Sequence, residues 1–391
     1  MCSSPRYDCR IAARLGGRHG ERGFNLIEIM MSMSVATVMF MALTTLFVQQ
    51  SEVMQNQNER IDLGRQARFS LDHMRADLTS LGSNTSPNTA IDPSVCPKPV
   101  PALRVLSLAL DQSYVAAAEL NPNVKPAALT LFGSLDVKAR YRTASIEGDQ
   151  VRLYDDGTLP ASQEAWDETF SKDKYLHISG ADGSQMFFAI DSGSQSSALV
   201  KVVGTIPRIA AGVTCGYQGL GTNYTVDVQN FVRYRVIADT RPGAPKSTTG
   251  AATQTLLVRE NLDIDGLTVK GQLILAENAV DLQLYDMGMD IDPAADSVKM
   301  KVYPLTSDVV FEGGDGPLGT TTAARPESLR FLTVKLSLRG TWPVKRLVHK
   351  AREVAWQPLT TWLLAGENEG AHAVTTAATR VSLPTLVSRN L

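Results

Sequence analysis

The sequence predicts an α+β protein in which one long N-terminal α-helix packs on a mainly antiparallel β-sheet head. Residues 24–82 contain no proline and pass from an uninterrupted apolar run to apolar residues at helical spacing. Beyond residue 127, short segments with alternating apolar and polar residues follow one another between turn residues. A helix that lies on one face of such a sheet is the α+β arrangement.

The first helical half, residues 24–48, is apolar and carries Glu28 as its only charge. About 20 such residues span a bilayer core. Five arginines in residues 1–23 precede the run and place the N-terminus in the cytoplasm. A secretory signal would need a shorter apolar core and a small-x-small cleavage site, which the residues after Val48 lack. A plain membrane anchor leaves Glu28 unexplained, because an unpaired carboxylate in a membrane helix is costly.

The stretch Gly23-Phe24-Asn25-Leu26-Ile27-Glu28, behind a basic leader, resembles the processing site of type IV prepilins. The resemblance implies that a prepilin peptidase cleaves after Gly23 and that Phe24 becomes a methylated N-terminus. It also implies that Glu28 pairs with the Phe24 amine when helices pack in a fibre. Pairing offsets the desolvation that would be severe for either charge alone.

Apolar residues continue along the second helical half with spacings of 4, 3, 4 and 3 residues. They are Ala67, Leu71, Met74, Leu78 and Leu81. This is one face of an amphipathic helix. We therefore expect a leader at 1–23 and a helix over 24–83, about 90 Å long at 1.5 Å per residue.

Seven prolines between residues 84 and 127 predict an extended connecting segment. A β-rich head is expected over 128–340, enlarged by loops and insertions, with a C-terminal segment at 341–391. Alternation predicts half-buried strands, most clearly at 330–339. The predicted strands are 128–134, 137–143, 150–154, 174–179, 185–190, 232–236, 280–284 and 330–339.

The body segments also look like the block order of PilW-type minor pilins, which are related to J-type pseudopilins. The similar segments are 231–236, 256–260, 277–286 and 332–340, with a similar closing stretch at 379–390. The resemblance implies a non-catalytic minor pilin that primes type IV pilus assembly near the tip. Its expected partners are other minor pilins, the major pilin and a tip adhesin. It implies an inner-membrane protein with a periplasmic C-terminus that then enters the fibre at the cell surface.

Two alternatives stay open: a minor pseudopilin of type II secretion, and a membrane-anchored periplasmic enzyme or binding protein. Enzyme signatures such as HExxH, GxSxG and a phosphate-binding glycine loop do not occur in the sequence. The whole chain has a net charge of −2. The leader contributes +3, so the remaining residues carry a net charge of −5. An acidic body argues against nucleic acid as the main partner. We expect no cofactor and no metal.

The cysteines divide into two in the leader and two in the body, Cys96 and Cys215. After cleavage the body pair would be the only cysteines in an oxidising compartment, so we predict a disulfide between them. The run from Asp286 to Asp296 clusters carboxylates, which can bind calcium. Its spacing matches no complete calcium loop and Pro293 interrupts it, so a solvated acidic turn is favoured.

Overall fold

Helix α1 runs without interruption from Leu26 to Ser80, which confirms the predicted long N-terminal helix. Just after it, Gly82 adopts a positive φ of 72°, the left-handed conformation that commonly ends helices. The chain divides into two compact units, residues 1–58 and Glu59–Leu391. The computed structural model describes residues 25–82, 85–110, 121, 123–124, 126–207, 224–244, 254–290, 300–303, 325–344, 347–351, 353, 357–364 and 370–383.

Every described residue of the first unit is exposed, although most of its side chains up to Val48 are apolar. The hydroxyl groups in this stretch donate to the carbonyls of their own helix, as Thr37 does to Met33 and Thr45 to Met41. Such internal bonds leave these hydroxyls without need of water. Apart from Glu28, the first helical half is therefore suited to apolar surroundings.

The second helical half buries one face in the core of the second unit. The five residues of the predicted stripe are each at most 3% exposed, which confirms the stripe. Burying a side chain such as Leu71 or Met74 contributes about 1.5–3 kcal/mol. Apolar side chains from strands of two sheets belong to the same core, so the second helical half packs against both sheets.

The described residues form fifteen strands and a short second helix, α2, at Gln163–Thr169. The strands are β1 Leu106–Leu110, β2 Ala127–Gly133, β3 Arg140–Glu147, β4 Gln150–Leu153, β5 Tyr175–Ser179, β6 Gln185–Ser194, β7 Leu199–Val202, β8 Thr225–Ala238, β9 Thr255–Leu262, β10 Val269–Glu277, β11 Ala279–Asp290, β12 Met300–Tyr303, β13 Leu329–Arg339, β14 Thr361–Leu364 and β15 Gly370–Ser382. All their pairings are antiparallel, so the predicted mainly antiparallel sheet and α+β class are confirmed.

Strand β8 takes part in both an open sheet and a closed barrel. Its second part lies in an open sheet of order β1-β2-β8-β9-β10. Its first part closes a six-stranded barrel of order β8-β3-β4-β7-β6-β5, because β5 pairs back with β8. The barrel interior is filled by apolar side chains, with Trp166 and Phe170 from α2 and its end among them. Alternation in the sequence predicted most of these strands, but nothing in it indicated that the ring closes.

A second sheet has the order β12-β11-β13-β15-β14. This sheet continues beyond residue 340, since β15 pairs with residues 331–339 of β13. One expectation, the half-buried strand at 330–339, is wrong. That strand is buried on both faces, Lys335 and Ser337 included. Ser337 bonds Thr376, which donates to the Leu359 carbonyl, so the segment before β14 covers the face predicted to meet solvent.

The expected connecting segment also differs from the structure. It contains β1, and residues 85–104, called the strap below, pack on the barrel. Val95 and Leu103 of the strap share an apolar cluster with Phe187 of β6. Prolines prevent regular strand pairing, yet alternate backbone groups still pair: the Cys96 N–H donates to Gln185 O at 3.0 Å, and the Gln185 N–H to Ser94 O at 2.8 Å. Strand β3 also begins three residues later than predicted, at Arg140.

Candidate functional site

Glu28 lies in the first turn of α1, exposed, with its backbone N–H donating to Asn25 O at 2.8 Å. A carboxylate is favourable at a helix N-terminus, where the unpaired N–H groups carry partial positive charge. It is nevertheless the only charged side chain in residues 24–51, so in apolar surroundings it needs a cation. Gly23 and Phe24, the predicted processing residues, lie outside the described residues, so cleavage and pairing stay predictions.

Among the described residues, α1 is the one helix that is long and apolar enough to cross a membrane. The window that meets this criterion has no buried residue. A single candidate membrane span near the N-terminus is thus part of the structure. The orientation of this span in a membrane is predicted from the leader arginines, not from the helix itself.

Cys96 of the strap is disulfide-bonded. Cys215 lies outside the described residues, so the Cys96–Cys215 pairing stays a prediction. Of the acidic run, Asp286 is exposed at a positive φ of 50°, and Asp290 is buried against Arg330 at 3.3 Å. Asp292 and Asp296 lie outside the described residues. The described part of the chain holds no group of three or more metal-ligating side chains placed to bind one ion.

An ionic cluster that buries Asp77, Tyr234 and Arg259 ties the second helical half to the open sheet. Asp77 of α1 accepts hydrogen bonds from the Tyr234 hydroxyl at 2.5 Å and from Arg259 Nε at 3.0 Å. Arg259 also donates through Nη2 to Asp136 at 2.7 Å and through Nη1 to Asn261 at 2.7 Å. We call Asp77, Tyr234, Arg259 and Asp136 the helix cluster. It joins α1 to β8, β9 and the loop before β3.

The electrostatics of the helix cluster favour a fixed ion pair. Burial raises the pKa of the Tyr234 hydroxyl, and the nearby Asp77 carboxylate raises it further. Burial alone would lower the pKa of Arg259, but the carboxylates of Asp136 and Asp77 outweigh it and raise that pKa. Tyr234 is therefore held as a hydrogen-bond donor, and Arg259 stays charged at any pH at which the protein folds.

An open groove of about 1050 Å³ lies beside the helix cluster, with His73, Lys138 and Glu168 among its lining residues. A groove with such side chains is a common setting for acid–base catalysis. Here Asp77 and Asp136 both accept from Arg259, and Tyr234 is held protonated. The arrangement is suited to holding the helix on the sheet, because Arg259 links the two carboxylates and Tyr234 donates to one of them.

Sequence reasoning missed this cluster. The one signal available was Asp77, a carboxylate three residues after Met74 on the apolar stripe. Its partners come from 157 and 182 residues further along the chain, where no local pattern marks them. Comparisons of this chain with protein-family models, with curated protein sequences and with solved structures found no match.

Proposed function

We propose that this chain is a minor pilin that primes type IV pilus assembly and sits in a complex near the fibre tip. The observation that carries the proposal is the division of one continuous helix into two unlike halves. Residues 26–48 are apolar and exposed, with Glu28 as their only charge, whereas Leu63, Leu71 and Leu78 are buried in the head. A membrane anchor that later packs among other helices needs this division.

The proposed life cycle follows from the charges at the N-terminus. The leader arginines hold residues 1–23 in the cytoplasm, so the head lies in the periplasm. A prepilin peptidase cleaves after Gly23, and the new amine of Phe24 neutralises Glu28 in the packed fibre. The helix cluster then transmits the position of the helix to the head, because Asp77 is fixed to β8 and β9.

The experiment compares a deletion strain with strains carrying Glu28→Ala and Glu28→Gln. We expect few surface pili in the deletion strain and in both variants, since neither side chain can neutralise the amine. Cleavage, read by intact mass, should continue in both. Gln is the matched control for shape, and a Glu28→Asp variant should restore part of the assembly.

Location provides the second readout. Immunogold labelling should place the tagged protein at fibre ends and at low copy. Label spaced evenly along the shaft at the level of the main pilin would contradict the proposal. Loss of protein secretion with normal pili would instead favour the type II secretion pseudopilin, and a mature mass that retains the leader would contradict prepilin processing.

A further inference from the structure

The chain after β13 opens with a strongly basic segment. Residues 341–352, called the basic loop below, carry four basic side chains and no acidic one. The basic residues are Lys345, Arg346, Lys350 and Arg352. The loop has a charge of +4 and the whole chain has −2, so the other residues together carry −6. A concentration of one sign on an otherwise acidic chain attracts an anionic partner.

The basic loop is fixed to the head at both ends of its described part. At its start, the Thr341 N–H donates to the Glu59 carboxylate of α1. Near its end, the Lys350 N–H donates at 2.9 Å to the hydroxyl oxygen of Thr361, which is buried on β14. The loop backbone is therefore held on the head, while the Lys350 side chain is exposed.

The basic loop also exposes two large apolar side chains. Trp342 is 67% exposed and Val348 is 76% exposed. The other tryptophans in the described part of the chain, Trp166 and Trp362, are buried. Exposed tryptophan beside lysine and arginine is the combination enriched at membrane–water interfaces, where the ring lies at headgroup level and the cations meet lipid phosphates.

The attachment point of the basic loop lies close, along the chain, to the candidate membrane span. Glu59 is the first residue of the second unit and the eleventh residue after Val48, where the apolar run ends. Eleven residues extend about 16 Å as a helix and at most about 40 Å as extended chain. A bilayer that holds the apolar run is thus within reach of the loop.

The loop backbone also approaches α1 too closely to shift easily along it. A Cβ built on Gly340, directly before the loop, would lie 3.2 Å from the Glu59 carboxylate. The chain therefore comes close to the helix at this glycine, and the N–H of the next residue bonds the same carboxylate. This contact ties the start of the basic loop to the helix that carries the candidate span.

We propose that the basic loop docks on the anionic lipid surface of the membrane in which the same chain is inserted. Trp342 and Val348 enter the headgroup layer, and Lys350 meets lipid phosphates. A lipid surface is favoured over a protein partner because the loop is attached to the helix that carries the candidate span, and because its charge has the sign that lipid phosphates attract. The inference rests on that span and not on the proposed role in pilus assembly.

Tryptophan fluorescence of the full chain in nanodiscs tests the docking. The discs contain either phosphatidylcholine alone or phosphatidylcholine with about a third phosphatidylglycerol, enough to give an anionic surface. Lipids with bromine near the headgroup end of the acyl chain quench a tryptophan that touches them. The difference between the wild type and Trp342→Phe isolates the emission of Trp342. We expect bromine to remove about half of that emission in anionic discs and far less in neutral discs, and high salt to weaken the quenching because it screens the attraction.

Lys350→Gln tests the charge while Trp342 stays in place as the reporter. Removing one exposed cation should lower the ratio of docked to free loop about fivefold, the effect of one basic residue at an anionic surface. Lys172→Gln is the matched control, because Lys172 is also exposed but precedes β5 of the barrel and pairs with Asp191. We expect the control to be quenched like the wild type.

Four outcomes would overturn the docking. Quenching of Trp342 that is absent, or equal in neutral and anionic discs, would exclude an anionic lipid surface as the partner. Equal effects of Lys350→Gln and Lys172→Gln would show that the basic loop is not the contact. Trp342 that stays open to acrylamide in anionic discs and is shielded only when another pilin is added would assign the loop to a protein contact. A chain that does not co-elute with the discs would remove the span on which the docking rests, whereas inserted protein without quenching contradicts the docking alone.

Discussion

The two ends of strand β8 hold two different parts of the chain, α1 and the strap, through different polar contacts. At its second part, Tyr234 belongs to the helix cluster, in which Arg259 pairs with both Asp77 and Asp136. At its first part, Asp227 contacts His177 beneath the strap. Asp77, Arg259, His177 and Asp227 are all buried.

The difference lies in the partners of the carboxylates. Arg259 forms ion pairs with both Asp77 and Asp136, whereas Asp227 lies 2.9 Å from the His177 ring and accepts a hydrogen bond from Gln229 at 2.9 Å. Removing the cation shared by the helix cluster should therefore cost more than removing one of several polar partners beneath the strap.

The largest expected effect comes from removing the arginine of the helix cluster. Arg259→Ala leaves the buried Asp77 carboxylate without a cation and removes the ion pair with Asp136, which should lower the free energy of unfolding by about 3–5 kcal/mol. Thermal melting of the full chain in micelles measures it.

Arg235→Ala is the matched control for Arg259→Ala. Its partner Glu260 is equally buried but keeps a second cation, Arg233, at 2.7 Å. We expect a loss of only about 1 kcal/mol, the range of a replaceable ion pair. Equal losses in the two variants would contradict the view that the helix cluster depends on Arg259 alone.

A smaller effect is expected from Tyr234→Phe. The change removes the hydroxyl that donates to Asp77 but leaves the ring and Arg259 in place, so the loss should be about 1.5–3 kcal/mol, the value of a hydrogen bond to a charged group. Urea unfolding followed by tryptophan fluorescence measures it. A loss within experimental error would show that the Tyr234 hydroxyl contributes little to holding Asp77.

The two clusters also mark the limit of what the sequence could predict. Periodicity located α1, its buried stripe and most strands, because burial of one face leaves a local pattern. Glu28 was found for a similar reason, since a charge stands out in an apolar run. The barrel, the double burial of β13 and both clusters depend on contacts between distant segments. Asp77 with Arg259 and His177 with Asp227 are ordinary residues until the fold brings them together.

The proline-rich strap shows the same limit of prediction from sequence. Its composition predicted an extended connection, and its backbone is irregular as expected. What holds it in place is side-chain chemistry, with Thr85 donating to Gln229 at 2.9 Å and Ser94 to Asp92. Proline content predicts neither of these two hydrogen bonds.

Thr85→Val tests how far this side chain holds the strap. The variant keeps the shape of the side chain but leaves the buried Gln229 oxygen without its donor, so the free energy of unfolding should fall by about 1–1.5 kcal/mol. Hydrogen exchange of the strap amides should be faster than in the wild type. Exchange that is unchanged in the strap would show that this hydrogen bond does not hold it in place.

The smallest expected effect is a gain in stability, and it concerns Glu327, which contacts the strap. Glu327, in a short 3₁₀ turn before β13, is 6% exposed, and its Oε2 has no hydrogen-bond partner among the described residues. Burial raises the pKa of this carboxyl, although its hydrogen bond with Asn88 and the nearby Arg104 of the strap act against the shift. A raised folded-state pKa means that this group stabilises the fold at acid pH and loses that contribution as the pH rises.

Glu327→Gln should therefore raise the free energy of unfolding at pH 7 by about 0.5–1 kcal/mol, since a neutral amide replaces an incompletely paired buried charge. The gain should shrink as the pH falls below the unfolded-state pKa of a glutamate, where the wild-type carboxyl is protonated in both states. Thermal melting at pH 4 and pH 7 measures it, with the exposed Glu147→Gln as the unaffected control. A gain of the same size at both pH values would mean that charge is not the cause.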